Sequence, residues 1–335
     1  MMASPFVPKG VTNLVVDFDG TTKDFYFLLL PNTTMLAFSA AVDPLRVTNQ
    51  VSGRELYRWY VLSEDGAPVR CSNGIRIVAD GPLKDIPKSA TLFVIAGTEP
   101  NAAVSNRVVQ WIRRQRTFGC KLGGICTGAF ALAKAGLLEN RRFTLHWENQ
   151  QTFRETFMGL EPTGNLYESD GQIVTCGGGT AATDMILESI ERDHGKDLAT
   201  VVADMCIHTR SNDRRAPQVS AYSVALNVRN AKLTRAILYM GDNIEDPVDM
   251  PEIANHVQLS RRQLERLFAK YLGKTPMRLY LEMRLARAHA LLNETQMSVS
   301  EIAVASGFGT VTQLAAAFKK KYGMTPSGYR KSWLA

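Results

Sequence analysis

No stretch of this chain is apolar for long enough to cross a membrane. The most apolar run, Phe25 to Leu30, is six residues long and ends at Pro31, against the ~20 that a spanning helix needs. No basic region followed by an apolar core opens the sequence, so a secretory signal is not expected. Cysteine is scarce and scattered. The five present (Cys71, Cys120, Cys126, Cys176 and Cys206) are odd in number and form no CxxC pair, which argues against a disulfide framework. The five histidines show no HExxH spacing, so no metal is expected. These absences point to a reduced, cytoplasmic protein with no membrane contact, metal or cofactor.

What is present is enough for two domains: 335 residues at ~100–200 per domain. The net charge is +7, and its position says more than its size. Residues 1–227 hold 23 basic and 23 acidic side chains, whereas residues 228–335 hold 16 basic and 9 acidic. The whole excess lies in the last third. Such asymmetry points to contact with nucleic acid or a membrane surface by that segment alone.

Apolar strands alternating with helices imply a mostly parallel sheet covered on both faces. Strands are expected at Phe25–Leu30, Tyr57–Leu62, Thr91–Gly97, Lys121–Ile125 and Arg142–Trp147. A hairpin is expected at Leu166–Glu168 and Gln172–Cys176, around Ser-Asp-Gly. Helices are expected at Met35–Val47, Asn106–Arg116, Gly128–Ala135, Ala181–His194 and Leu198–Thr209. Residues 1–23 read as a loose leader, 24–211 as the α/β domain, 212–228 as a polar linker and 229–335 as an all-α domain.

The basic third repeats itself. Glu252-Ile253-Ala254 recurs as Glu301-Ile302-Ala303, Gln263-Leu264 as Gln313-Leu314, Phe268 as Phe318, and Gly273-Lys-Thr-Pro276 as Gly323-Met-Thr-Pro326. Asp249, Ser260, Ser298 and Thr310 each stand three residues before a Glu or Gln, the capping-box spacing that satisfies free N–H groups at a helix start. Gly273 and Gly323 suit helix ends, and Pro276 and Pro326 suit the next first turns. Two helix-turn-helix units follow, at about 250–271 and 298–322, each offering its second helix to a DNA major groove. Ser260, Arg261, Arg262, Gln263 and Arg266 in the first unit, and Thr310, Thr312 and Gln313 in the second, are the candidates for base contact. Lys319 and Lys320 suit phosphates. A connecting helix from about Pro276 to Asn293, with Leu281, Leu285, Ala288 and Leu292 as its apolar stripe, spans roughly 27 Å. That would set the two reading helices about one DNA turn apart.

These features carry a resemblance. Through LSRRQLERLFAKYLGKTPMRLYLEMRLARAHALL and SVSEIAVASGFGTVTQLAAAFKKKYGMTPSGYR, residues 229–331 resemble the DNA-binding domain of AraC/XylS-type transcription regulators. The family usually has an aromatic residue and a polar or basic neighbour where this chain has Leu314-Ala315-Ala316.

In the first domain, Gly124-Ile125-Cys126-Thr127-Gly128 matches the elbow G-x-[Ser/Cys]-x-G at a strand-to-helix turn. The elbow lifts Cys126 to the sheet edge where ligands of open parallel sheets bind. Cys126 reads as a nucleophile, a buried structural thiol or a pocket wall. His146 and Trp147 read as strand-end packing or as a wall suited to a cationic effector. Asp43, Glu148 and Asp184 are candidate acidic partners. Gly177-Gly178-Gly179-Thr180 before a helix could cradle an anion.

GGICTGAFALAKAGLLENRRFTLHWE and TCGGGTAATDMILESIERDHG carry a second resemblance over residues 24–210, to the class I glutamine amidotransferase-like, PfpI-type fold. The expected fold is therefore a flavodoxin-like α/β parallel-sheet sandwich plus an all-α domain with two helix-turn-helix units. PfpI-type hydrolases place a histidine directly after the cysteine, where Thr127 stands here. The pairing of the two domains implies a cytoplasmic transcription regulator, an activator rather than an enzyme, sensing an arginine-like or quaternary-amine metabolite such as betaine or carnitine. Asp43, Cys126, Thr127, His146, Trp147 and Glu148 are the expected effector site. The expected partners are promoter DNA, RNA polymerase and a second copy of the chain. The competing expectation is a thiol-dependent amidase or hydratase using Cys126, with an appended DNA-binding domain.

Overall fold

The computed structural model describes residues 5–210, 218 and 230–331. The chain forms two compact units, Met1–Gln218 and Val219–Ala335. The linker expected at 212–228 lies, apart from Gln218, outside the described residues.

The first unit is built on six strands: β1 (Lys23–Leu29), β2 (Tyr57–Leu62), β5 (Thr91–Ala96), β6 (Lys121–Cys126), β7 (Tyr167–Asp170) and β8 (Ile173–Cys176). A separate ribbon, β3 (Val69–Arg70) with β4 (Arg76–Ile77), lies between β2 and β5 in sequence. The sheet order is β2-β1-β5-β6-β8-β7, and every pairing is parallel except the β7–β8 hairpin. Gly171 takes φ 59° in that hairpin turn, a conformation in which glycine avoids a Cβ clash.

The continuous apolar strands are explained by burial on both faces. Phe25, Phe27 and Leu29 enter one core, with α1 (Met35–Ser52), α6 (Ala181–His194) and α7 (Lys196–Met205) against it. Tyr26, Leu28 and Leu30 enter the other, with α3 (Asn106–Thr117) and α4 (Ala129–Lys134). The short helices α2 (Pro100–Ala103) and α5 (Gln150–Thr156) complete the unit.

Two expectations fail here. Arg142–Trp147 is not a strand: residues 141–146 are irregular and Trp147–Asn149 is a 3-10 turn. The Thr144 N–H donates to the Thr175 hydroxyl at 2.8 Å, so a side chain replaces the ladder. Nor are the described leader residues, 5–22, loose. Leu14, Val16 and Phe18 pack on the first core, the Leu14 N–H donates to Val51 O at 2.9 Å, and the Phe6 ring meets Trp59 edge-on. Buried Asn49 donates to both Phe6 O and Tyr57 O.

The second unit consists of α8 (Ala231–Asp242), α9 (Met250–His256), α10 (Arg261–Leu272), α11 (Pro276–Glu294), α12 (Val299–Ala305), α13 (Val311–Tyr322) and α14 (Pro326–Lys331). It has two cores, and α11 contributes to both. Leu279, Tyr280 and Met283 join Leu264 and Phe268, while Leu285, Ala288, Leu291 and Leu292 join Leu314 and Phe318. The stripe expected along α11 is corrected at its first residue: Leu281 is 39% exposed. The buried face rotates between halves because each half serves a different core.

Candidate functional site

The elbow exists, and glycine makes it. Cys126 closes β6 with φ 59°, a left-handed value that costs a non-glycine residue strain. A Cβ on Gly128 would lie 2.0 Å from Val94 O, and one on Gly178 2.8 Å from the Cys126 Cβ. The turn from β6 into α4 therefore needs Gly128 bare, and the bare Gly178 leaves room for Cys126. Cys126 is nevertheless buried. Its Sγ lies 3.5 Å from the hydroxyl of Thr34, at the N-cap of α1. Burial raises the thiol pKa, and the Thr34 hydroxyl and Thr127 N–H only partly oppose this. The thiolate, which is the nucleophilic form, is thus disfavoured at neutral pH.

The structure gathers some of the expected effector residues and separates others. The His146 N–H donates to Cys126 O at 3.2 Å, so the 146–148 segment adjoins the elbow. Burial lowers the His146 pKa, with Glu148 opposing, which favours the neutral ring. His146 Nδ1 and Glu148 Oε2 are 3.9 Å apart. The Trp147 ring lies tilted on that of His146, centroids 5.4 Å apart, and is half-exposed.

Thr127 is buried, and its hydroxyl is spent on Gly97 O at 2.7 Å. Asp43 stands nine residues after Thr34 in α1, about 13 Å along its axis. It is exposed and paired with Arg46 at 3.0 Å. Asp184 is buried against His208 Nε2 at 3.1 Å. The glycine run is not an open anion cradle either: Gly177 N donates to Leu166 O and Gly178 N to Cys176 Sγ. Thr34 carries no sequence signal, because its role depends on the fold bringing α1 to β6.

In the second unit the repeat extends to burial. Residues 261–270 and 311–320 follow one pattern, three exposed positions before a buried leucine, with a buried phenylalanine four residues later. Arg261, Arg262, Gln263, Arg266, Thr312, Gln313, Lys319 and Lys320 are all exposed, as are the caps Ser260 and Thr310. Three of the four expected capping boxes are complete, at Asp249/Glu252, Ser260/Gln263 and Ser298/Glu301. The fourth is half-formed: the Thr310 hydroxyl accepts from Gln313 N, without the reciprocal bond.

The Gln263 carbonyl oxygen is thus engaged with Ser260 N at 2.8 Å, while the Gln313 side chain is not held in that way. Arg261 is tied to Glu265 at 2.9 Å. Exposed Lys270, four residues after Arg266, extends the Arg262–Arg266 row and was missed in sequence. Lys321 is exposed as well, but its ammonium is engaged, donating to Glu282 O at 3.2 Å. Ala316 and Ala317 border an open groove with Leu281, Arg284, Phe308, Gln313 and Lys320.

Arg284 and Arg287 tie α11 to its neighbours in the second unit. Arg284 donates to Ser306 O at 3.1 Å and to Gly307 O at 2.5 Å. Buried Arg287 donates to Ala305 O and pairs with Glu245 at 2.5 Å. Arg284 thus joins α11 to the turn that follows α12, and Arg287 joins it to the last residue of α12 and to Glu245.

A helix-turn-helix domain family matches residues 253–332, and the DJ-1/PfpI family matches residues 27–192. The HTH-type transcriptional regulator CdhR of Pseudomonas aeruginosa is 42% identical over 306 residues, 91% of each chain. The chain belongs to the AraC-type HTH transcriptional regulators with a DJ-1/PfpI domain. As a member of that family it is a DNA-binding transcription regulator. A THiJ/PfpI family protein from Pseudomonas syringae shares its fold, with TM-score 0.50 and 19% identity, over 71% of this chain and 89% of that one. An isonitrile hydratase of Pseudomonas putida is 27% identical over 177 residues, 52% of this chain and 74% of the hydratase. Among the described residues no helix is long and apolar enough to cross a membrane, and no cluster suits a metal ion.

Proposed function

We propose that this AraC-type regulator is a cytoplasmic activator whose DJ-1/PfpI domain senses a small nitrogen-containing metabolite, arginine-like or a quaternary amine such as betaine or carnitine. The reading rests on the Cys126 elbow. A strained residue is kept at the ligand edge of the sheet, yet burial holds its thiol in the unreactive form. Beside it lie a half-exposed Trp147 face and the exposed carboxylate of Glu148. An aromatic face with a nearby anion suits an organic cation. The effector site is drawn from Cys126, His146, Trp147 and Glu148, with Thr34 beside the thiol; Asp43 and Thr127 are left out on geometry.

The second unit reads promoter DNA through Arg262, Arg266, Thr312 and Gln313, with Lys319 and Lys320 on phosphates. Ser260 and Thr310 cap these helices and reach DNA only at their first turn. The regulator acts as a homodimer, because joining two modest DNA contacts multiplies their affinity through effective concentration. Effector binding then changes promoter occupancy or contact with RNA polymerase.

A thermal-shift screen of the full chain against amino acids, betaines and polyamines tests the sensor. A ligand at one hundred times its Kd stabilises the folded form by about 2.7 kcal/mol. Binding that survives Trp147→Ala and Glu148→Gln unchanged would remove the assigned site. A second reading, a thiol-dependent amidase or hydratase, draws on the same elbow and is separated by Cys126→Ser. A sensor retains DNA binding with at most an altered effector response, whereas an enzyme loses turnover.

A further inference from the structure

Gln218, the last residue of the first unit, has hydrogen-bond partners on its backbone N–H and on both polar atoms of its side chain. Gln218 N donates to Gly164 O at 2.7 Å. Its carbonyl Oε1 accepts from the Trp147 N–H at 2.8 Å. Its Nε2 faces three acceptors: the Thr144 hydroxyl at 2.9 Å, Leu145 O at 2.9 Å and Asn165 O at 2.8 Å. The Thr144 hydroxyl is oriented to accept, because it lies 2.9 Å from both Thr163 O and Asn165 O and spends its proton there.

The socket is shaped as well as polar. A Cβ on Gly177 would lie 2.5 Å from the Gln218 carboxamide. Gly177 does not take a left-handed φ, so its backbone does not require glycine; the bare position serves the occupant. One donor and three acceptors around a planar amide select a carboxamide and reject a carboxylate, which has no proton to give.

We infer that residues 144–147, 164–165 and 177 form a carboxamide site whose ligand is the chain's own Gln218, a latch that pins residue 218 to the sensor domain. The latch meets the candidate effector wall directly. Trp147 holds Gln218 through its N–H while offering its ring to solvent, and Gly177 precedes the Gly178 that clears space for Cys126. A change at that wall is thereby felt at residue 218.

The use of the latch in signalling rests on the sensor reading; the latch itself does not.

Trypsin tests it on the full chain with neither effector nor DNA. Arg214 and Arg215 lie just before the latch in sequence. Cleavage through local opening follows the open population. Gln218→Glu and Gln218→Ala remove the amide, whereas Gly177→Ala leaves the linker sequence intact and fills the socket. Each is expected to speed cleavage after Arg214 and Arg215 about tenfold or more, since several hydrogen bonds of ~1 kcal/mol are lost together. Gly177→Ala combined with Gln218→Ala should cleave no faster than either alone, because both break one contact. Unchanged melting of the first unit checks that Gly177→Ala folds. Wild-type cleavage rates in the Gln218 variants, or additive effects in the double variant, would overturn the latch.

Discussion

Arg262, Arg266 and Arg261 of α10 are expected to rank differently in DNA binding, although the sequence alone makes them equals. At about 100° per residue, the buried Leu264 and Phe268 fix the inward direction. Arg262 and Arg266 stand two residues either side of Leu264 and so face away from the core. Arg261 stands three residues before it, near the edge of the buried face, with its guanidinium on Glu265 at 2.9 Å. A guanidinium that meets a guanine edge bidentately contributes about 1–3 kcal/mol. Arg262→Ala or Arg266→Ala should therefore weaken binding to a selected site roughly 5–150-fold. Arg261→Ala trades an exposed helical ion pair for a free Glu265 and should cost about threefold or less. Lys320→Ala should weaken selected and scrambled duplexes alike and lower the salt slope by about 0.9. The assay is a mobility-shift titration between 50 and 200 mM salt, on a site selected from random-sequence duplex. Equal losses for Arg261→Ala and Arg266→Ala, or a loss for Lys320→Ala confined to the selected site, would refute the assignment of faces.

The two cores of the second unit give a matched pair of expectations. Phe268→Ala and Phe318→Ala, both fully buried, should each destabilise by about 3–5 kcal/mol, whereas Leu281→Ala should stay within about 0.5 kcal/mol, as read from denaturant unfolding by circular dichroism. Acid should weaken this unit through Glu282, whose pKa is held below the ordinary 4.5 first by the hydrogen bond from Lys274. A carboxylate with a depressed folded pKa stabilises above its unfolded pKa, and that contribution fades as pH falls through the folded value. The stability gap between wild type and Glu282→Gln should thus be full near pH 7 and close as the pH falls below 4.5 and through the lowered folded value; a gap that persists into strong acid would contradict the sign.

The helical third was largely legible because its signals are local. A cap and its partner three residues on are neighbours in both sequence and space, so three boxes appear where the spacing places them. Thr310 shows the limit, since the spacing cannot say whether the Gln313 amide turns back to the backbone. Apolar runs located the sheet for the same reason. Arg142–Trp147 misled because its alternation suits a strand, while the actual partner of Thr144 N is a side chain 31 residues away. The docked leader carried a readable period of two in Leu14, Val16 and Phe18. Around Cys126 the elbow was legible, but its environment was not. Thr34 and Gln218 reach the 126–147 region from positions 92 and 71 residues distant in sequence, and no pattern in either neighbourhood announces it.

The single helix shared by the two halves of the DNA-binding unit also bears on how a promoter can drift. Because α11 belongs to both cores and Arg284 and Arg287 tie it to the end of α12 and the turn after it, one continuous helix, not a loop, joins the two proposed reading helices. Base changes within either half-motif are then graded losses, met one contact at a time. An inserted or deleted base pair between them is another matter: it rotates one half-motif about 34° around the duplex axis, and a stiff ruler has no give to follow it. Target promoters are therefore expected to vary in letters far more readily than in phase.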